Sequence, residues 1–96
     1  MIRIDSINPS PGQVVLKMAG QLTWENTAVL EREGRRWLQK QQRLVLELNE
    51  VDFIDAAGVA LLKRLVQRGG VLRRASPFIA LLLSRHGLFV CGDPPP

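Results

Sequence analysis

Between Arg43 and Arg68 the hydrophobic period changes once, and that change restricts the fold more than any other feature of the chain. Leu44-Val45-Leu46 and, past Glu47, Leu48 form a nearly continuous apolar run, the pattern of a strand covered on both faces. Val51-Asp52-Phe53-Ile54 follows as a short linking segment that keeps apolar side chains inward. From Val59 the apolar residues return at helical spacing. Val59, Leu62 and Val66 share one stripe with Leu61 and Leu65 beside it, and Lys63, Arg64, Gln67 and Arg68 take the other side. The joint is Asp55 followed by three very small residues, Ala56, Ala57 and Gly58. Asp55 is placed to cap the helix, its oxygen accepting from a free amide of the first turn. Those exposed amides and the positive helix end also suit a phosphate or an acidic group, so the loop is a candidate contact or switch site.

The flanking chain reads as further strands and helices. Ile2 and Ile4 alternate with Arg3 and Asp5, as in a half-buried strand, and Asn8 to Gly12 reads as a turn. Val14 to Met18 then predicts a second strand, paired with the first as a hairpin and stopped at Ala19-Gly20. A first helix is expected from Leu22-Thr23, with Thr23 as cap, Leu22 as staple and a Glu31–Arg35 pair along its surface. Its inward stripe is Leu30, Gly34, Trp37 and Leu38, and both Trp24 and Trp37 are expected to pack rather than to bind. Gln39 to Arg43 ends it.

Past the second helix, Gly69-Gly70 turns into a short strand over Val71 to Ala75. Ser76-Pro77 opens a third helix, serine as cap and proline in the first turn, which Gly87 closes. Ile79, Leu82 and Leu83 can face a core there, leaving Phe78 or Leu81 near the surface. Leu88-Phe89-Val90 suits a last strand, and the proline-rich tail over 91–96 is expected to fray beyond a domain of residues 1–90. A hairpin followed by β-α-β-α order predicts an α/β fold. Its expected form is a mixed sheet of about four or five strands with about three helices packed on it and right-handed crossovers.

Composition narrows the function classes. Ninety-six residues, 46% of them hydrophobic, suffice for one core and one domain. The longest apolar run, Pro77 to Leu83, falls far short of the ~20 residues of a membrane span. The opening Met1-Ile2-Arg3-Ile4-Asp5 lacks the basic-then-apolar pattern of a secretion signal. A single cysteine, Cys91, forms no internal disulfide, and together these features predict a cytoplasmic protein. The net charge of +4 gathers at Arg35-Arg36, Lys63-Arg64 with Arg68, and Arg73-Arg74. Solvated faces are the first reading of these clusters, an acidic partner surface the second. Two tryptophans and three phenylalanines, none interleaved with the basic pairs, leave nucleic acid a poor third.

His86, the lone histidine, falls at a helix end, where a cation is structurally favourable, and offers no metal cluster. Gly69-Gly70 lacks the spacing of a phosphate loop, and Asp52 with Asp55 is weak ground for acid–base work. No cofactor, no metal and no enzyme activity is expected.

The segment LVLELNEVDFIDAAGVALLKRL resembles the signature of the STAS domain, the family of anti-sigma-factor antagonists and of the cytoplasmic tails of sulfate transporters. In that family a hydrophobic strand ending in an acidic residue is followed by a turn and then Asp-Ser-Ser-Gly or a close variant opening a helix. Glu47, Asp55, Gly58 and Leu62 match in place, Gly20-Gln21-Leu22 resembles the Gly-x-Leu before the first helix, and Gly69-Gly70-Val71 the later glycine turn. The resemblance spans about Val14 to Phe89 and implies the same fold.

One departure bears on function. In the switchable antagonists the residue two after the aspartate is a serine that a partner kinase phosphorylates; here it is Ala57, and Ala56 has no hydroxyl either. Phosphorylation adds close to two negative charges, enough to break a packed interface, and alanine cannot carry it. The resemblance implies a protein-docking site at Asp55, Ala56, Ala57 and Gly58, continued by Lys63 and Arg64 on the helix. The implied partner is an anti-sigma factor or a serine-kinase-like protein. The alternative is an accessory subunit on the ATPase of a lipid-transporting ABC importer, since such short STAS proteins often lack the switch serine. A STAS piece of an anion transporter is a third reading, disfavoured by a start at Met1 with no span before it. Self-association through the third helix is left open.

Overall fold

The run Leu44–Leu48 lies on the middle strand of a five-stranded sheet in the computed structural model, which describes residues 1–91. The chain runs β1 (Ile2–Ser10), β2 (Gln13–Leu22), α1 (Thr27–Gln39), β3 (Arg43–Ile54), α2 (Ala56–Gln67), β4 (Val71–Arg73), α3 (Pro77–Ser84) and β5 (Val90–Cys91). The strands lie side by side in sequence order, β1 antiparallel to β2 and the remaining pairs parallel. Each crossover therefore steps one strand further the same way, and right-handed crossovers of this kind place the three helices on one face. Beneath them lies one buried cluster, with Leu16 and Met18 from β2, Leu44, Leu46 and Leu48 from β3, Leu61 and Leu62 from α2, and Ile79 and Leu83 from α3. This is the α/β architecture expected from the sequence. Of the tail expected to fray over 91–96, Cys91 lies on β5 opposite Arg73, and the residues past it lie outside those described.

The first three strands run further than their hydrophobic patterns suggest, whereas β4 stops at Arg73 short of the expected Ala75 and β5 starts at Val90 and not at Leu88. β1 continues through Asn8-Pro9, which a sheet edge with a register irregularity between Ile7 and Ser10 tolerates, so the turn shrinks to Pro11-Gly12. β2 passes Gly20 instead of stopping there. β3 includes Val51 to Ile54, a stretch whose pattern suggests only a link. It carries extra residues against β2 at two places, between Lys17 and Ala19 and between Gly20 and Gln21. Leu48, Val51 and Ile54 are all buried although they stand three apart, a spacing that strict alternation forbids and the two bulges supply.

The start of α1 differs more. Thr23 does not cap it: the helix begins at Thr27, and residues 23–26 form a turn in which Asn26 Oδ1 accepts from the Thr23 N–H at 2.9 Å. Asn26 Nδ2 donates back to the Gln21 carbonyl at 2.8 Å. Short polar side chains compete for backbone groups in this way, and here the competition moves the helix start. Trp24 is consequently not a packing residue but 72% exposed at the turn's tip. Trp37 does pack against the core, with the Arg36 and Lys40 cations 5.2 and 5.0 Å from its ring centre. Glu31 pairs across the helices with Arg64 at 3.5 Å rather than along α1 with Arg35. On α3, Ser76 accepts from the Ile79 amide as its cap, and both Phe78 and Leu81 are exposed.

The sheet face away from the helices carries Val15 and Val45, buried outside the main cluster. One row along, Asp5, Lys17, Glu47 and Arg73 stand in register across four strands with alternating sign. The Glu47 side chain is 5% exposed and lies 3.8 Å from both Arg73 and Arg74, which accounts for a carboxylate inside an apolar strand.

Gly20 combines φ +102° with a close approach, because a Cβ there would collide with the Met1 carbonyl oxygen, whereas Gly12 at φ +82° has open space around it. Gly12→Ala should therefore cost about 1 kcal/mol of unfolding free energy for the backbone conformation alone, and Gly20→Ala about 2–3 kcal/mol because backbone must also move. Urea unfolding measures both; equal losses would mean that β1 does not hold Met1 against Gly20.

Candidate functional site

Asp55 joins two segments at the C-terminal ends of β2 and β3. Its Oδ1 accepts from the Gly58 amide at 2.8 Å, capping α2 as expected. Its Oδ2 accepts from the Trp24 amide at 2.9 Å, a bond to the turn before α1 that sequence spacing could not reveal. The Asp55 amide in turn donates to the Leu22 carbonyl at 3.1 Å. Gly58 fits beneath this bridge because it has no side chain: a Cβ would stand 2.6 Å from the Leu22 oxygen and 2.8 Å from Ile54 Cγ2. The Gly58 amide, then the Trp24 amide, hold the Asp55 carboxyl below the ordinary aspartate value of 3.8, against an upward push from desolvation.

The residues singled out from sequence occupy different depths. Ala56 is exposed and Ala57 half-buried in the first turn of α2, while Gly58 lies buried with its amide spent on Asp55. Lys63 and Arg64 are both exposed about two turns on, Arg64 held by Glu31 and Lys63 without an ion pair among the described residues. Ala60 is exposed as well, between Ala56 and Arg64 at four-residue steps. The open side of α2 is thus small at its N-terminal half and basic at its C-terminal half. Beside it stands Trp24, and Phe53, two residues before Asp55, is 47% exposed. Sequence reading assigned neither to the site. Large exposed aromatics at the rim of a fixed loop are the side chains that most often anchor a protein partner.

His86 and Cys91 are both exposed. Among the described residues no group of three His, Cys, Asp or Glu side chains could hold a metal, and no helix is long and apolar enough to cross a membrane. What the site offers is a shaped, partly charged surface of rigid elements.

Comparison with known proteins agrees with this architecture. The family model described as "Mlab, STAS domain" matches residues 6–88. Among solved structures, an anti-sigma factor antagonist from Mycobacterium paratuberculosis is similar with a TM-score of 0.77 at 16% identity, over 97% of this chain and 87% of that one. The anti-sigma factor antagonist SpoIIAA in its unphosphorylated form gives 0.73 at 14% identity, over 95% and 89% of the two chains. The Bacillus cell fate determinant SpoIIAA in the phosphorylated form gives 0.72 at 14%, over 95% and 93%. The two forms fit about equally, so the likeness concerns the fold and not a phosphorylation state. No curated protein sequence matches the chain.

The depressed Asp55 carboxyl gives a pH test. A carboxyl held below its unfolded value adds stability that is complete above that value and is lost as the pH falls through the folded one. Asn at position 55 keeps one acceptor oxygen and so can serve one of the two amides. The stability gap between wild type and Asp55→Asn should be constant above about pH 5 and close as the pH falls below 3.8. Urea unfolding at stepped pH reads it; a gap unchanged down to strongly acid pH would show that the charge is not what ties the loops.

Proposed function

This chain belongs to the STAS domain family, and on that premise we propose that it is a non-enzymatic regulatory domain that docks on a protein partner through the Asp55–Gly58 loop and α2. The observation that carries this reading is the Asp55 bridge. It fixes the exposed Ala56, the half-buried Ala57 and the loop of Trp24 as one surface, so a partner meets ordered backbone and this loop loses little entropy on binding. Small side chains at Ala56, Ala57 and Ala60 admit close approach of a partner's backbone. Trp24 supplies the aromatic anchor at the edge, and Lys63 and Arg64 the polar rim. Gly58 works from below, by letting the loop seat on Leu22.

On this reading the partner is a cytoplasmic anti-sigma factor or serine-kinase-like protein. Position 57 has no hydroxyl to phosphorylate, and the domain is permanently competent to bind, with control residing in its synthesis or in the partner. A second reading, an accessory subunit on the ATPase of a lipid ABC transporter, is favoured by the absence of hydroxyls at Ala56 and Ala57 together with the exposed Phe78 and Leu81 of α3.

Affinity capture of the tagged chain from its host, beside an Ala57→Asp variant, tests both. An aspartate in the first turn of a helix is favourable to the helix, so the variant should fold. It should retain at most about a tenth of the captured partner, since a buried, unpaired interfacial charge costs upwards of ~1.4 kcal/mol. A kinase-like or anti-sigma partner lost from the variant supports the first reading, and an ABC ATPase lost from it the second. Capture that survives the substitution removes the loop from the interface.

A further inference from the structure

The cleft between α1 and α2 adds a second element to this docking surface. The helices meet at Gly34 and Leu65, where a Cβ on Gly34 would stand 2.9 Å from Leu65 Cδ2, so the missing side chain lets them approach closely. On the solvent side of that contact opens a cleft of about 210 Å3 with Leu65 at its floor and Arg35, Arg64 and Arg68 along its walls. It shares Glu31 and Arg35 with a shallower depression of about 500 Å3 along α1 that adds Arg32 and Arg36. We propose that this groove receives an acidic, leucine-containing segment of a partner protein.

The charge distribution argues for it. α2 contains no acidic residue, and the two acids of α1 are both engaged, Glu31 by Arg64 at 3.5 Å and Glu33 by Arg36 at 3.6 Å. Arg32, Arg35 and Arg68 have no ion partner among the described residues, although all line the groove or its extension. Three acids, Glu47, Glu50 and Asp52, lie instead on β3, and Asp55 caps the N-terminal end of α2, about ten residues along the helix from Leu65. A net charge of +4 thus understates the positive potential over the helices.

The residue type argues for carboxylates. Guanidinium groups present forked donors that match a carboxylate two bonds at a time, where a general solubilising charge needs only lysine. A concave strip between two helices, walled by the aliphatic stems and charged heads of Arg35, Arg64 and Arg68 above the buried Leu65, suits an amphipathic segment laid along it. Glu31 is a built-in competitor, because an incoming carboxylate must take Arg64 from it. The inference rests on reading this side of the domain as a protein-docking surface, yet it fails separately, since partner capture tests the loop and the groove has its own probe.

That probe is a fluorescein-labelled peptide of about 16 residues built from Glu, Leu and Ala at helical spacing, long enough to form a helix on binding. The full chain should bind it with an affinity that falls roughly tenfold between 50 and 200 mM NaCl, as screening requires. Arg35→Glu with Arg68→Glu should weaken binding by about tenfold or more, and Glu31→Gln should tighten it severalfold by freeing Arg64. The opposite signs separate groove binding from a folding defect. The inference is overturned if the peptide does not bind, if the double variant binds it equally, or if Glu31→Gln weakens it. Stronger binding to phosphatidylglycerol–phosphatidylcholine vesicles or to duplex DNA overturns it too, in favour of a membrane or nucleic acid. No peptide binding, with capture still dependent on Ala57, would sink this inference and leave the proposed function standing.

Discussion

The carboxylate of Asp55 connects parts of the chain that lie thirty-one residues apart, and the rest of the candidate surface is arranged around that connection. One oxygen completes the first turn of α2, and the other holds the amide of Trp24. Both bonds are charge-assisted and short, the kind that fixes geometry more firmly than neutral pairs. Because β2 and β3 lie in parallel register to Leu22 and Ile54, their ends arrive together, and the bridge needs only one side chain to span them. Gly58 is the necessary counterpart, since any side chain there would hold the helix away from Leu22.

Beneath the bridge, two accommodations let a twelve-residue strand serve as the spine. The bulges of β3 bring Leu48, Val51 and Ile54 to the same face, which keeps the strand buried up to the residue before Asp55. The buried Glu47 is held between Arg73 and Arg74 on the helix-free face, so the strand carries its charge without opening the core. The same segregation leaves the helix layer basic. α2 has no acid and both acids of α1 are paired, so the proposed docking surface carries the positive charge of that layer.

Much of this was readable from periodicity. The change from continuous apolar residues to helical spacing located β3 and α2, and Ser76-Pro77 located α3, because each signal is local and each residue type acts for one reason. Asp55 could be read as a cap from its place before small residues. Its second bond could not, because tertiary register brings Trp24 there. Trp24 departs from its pattern for a related reason: tryptophan near an apolar helix usually packs, but Asn26 captures the backbone of Thr23 and Gln21 and delays the helix, turning the ring outward. Glu31 illustrates the same limit, since four-residue spacing favours Arg35 and only packing of α1 on α2 offers Arg64. The STAS resemblance reached the fold through a few positions, with solved relatives at 14–16% identity showing that pattern and packing carry the architecture where sequence does not.

The most direct measurement is a proton–nitrogen NMR titration of the Gly58 and Trp24 amides between pH 6 and 2. If one carboxylate holds both, the two amide protons start downfield and move together with a single midpoint below the ordinary aspartate value of 3.8. Separate midpoints, or a Trp24 amide that does not move while Gly58 titrates, would mean that Asp55 is only a helix cap and that the surface built around it is not one unit.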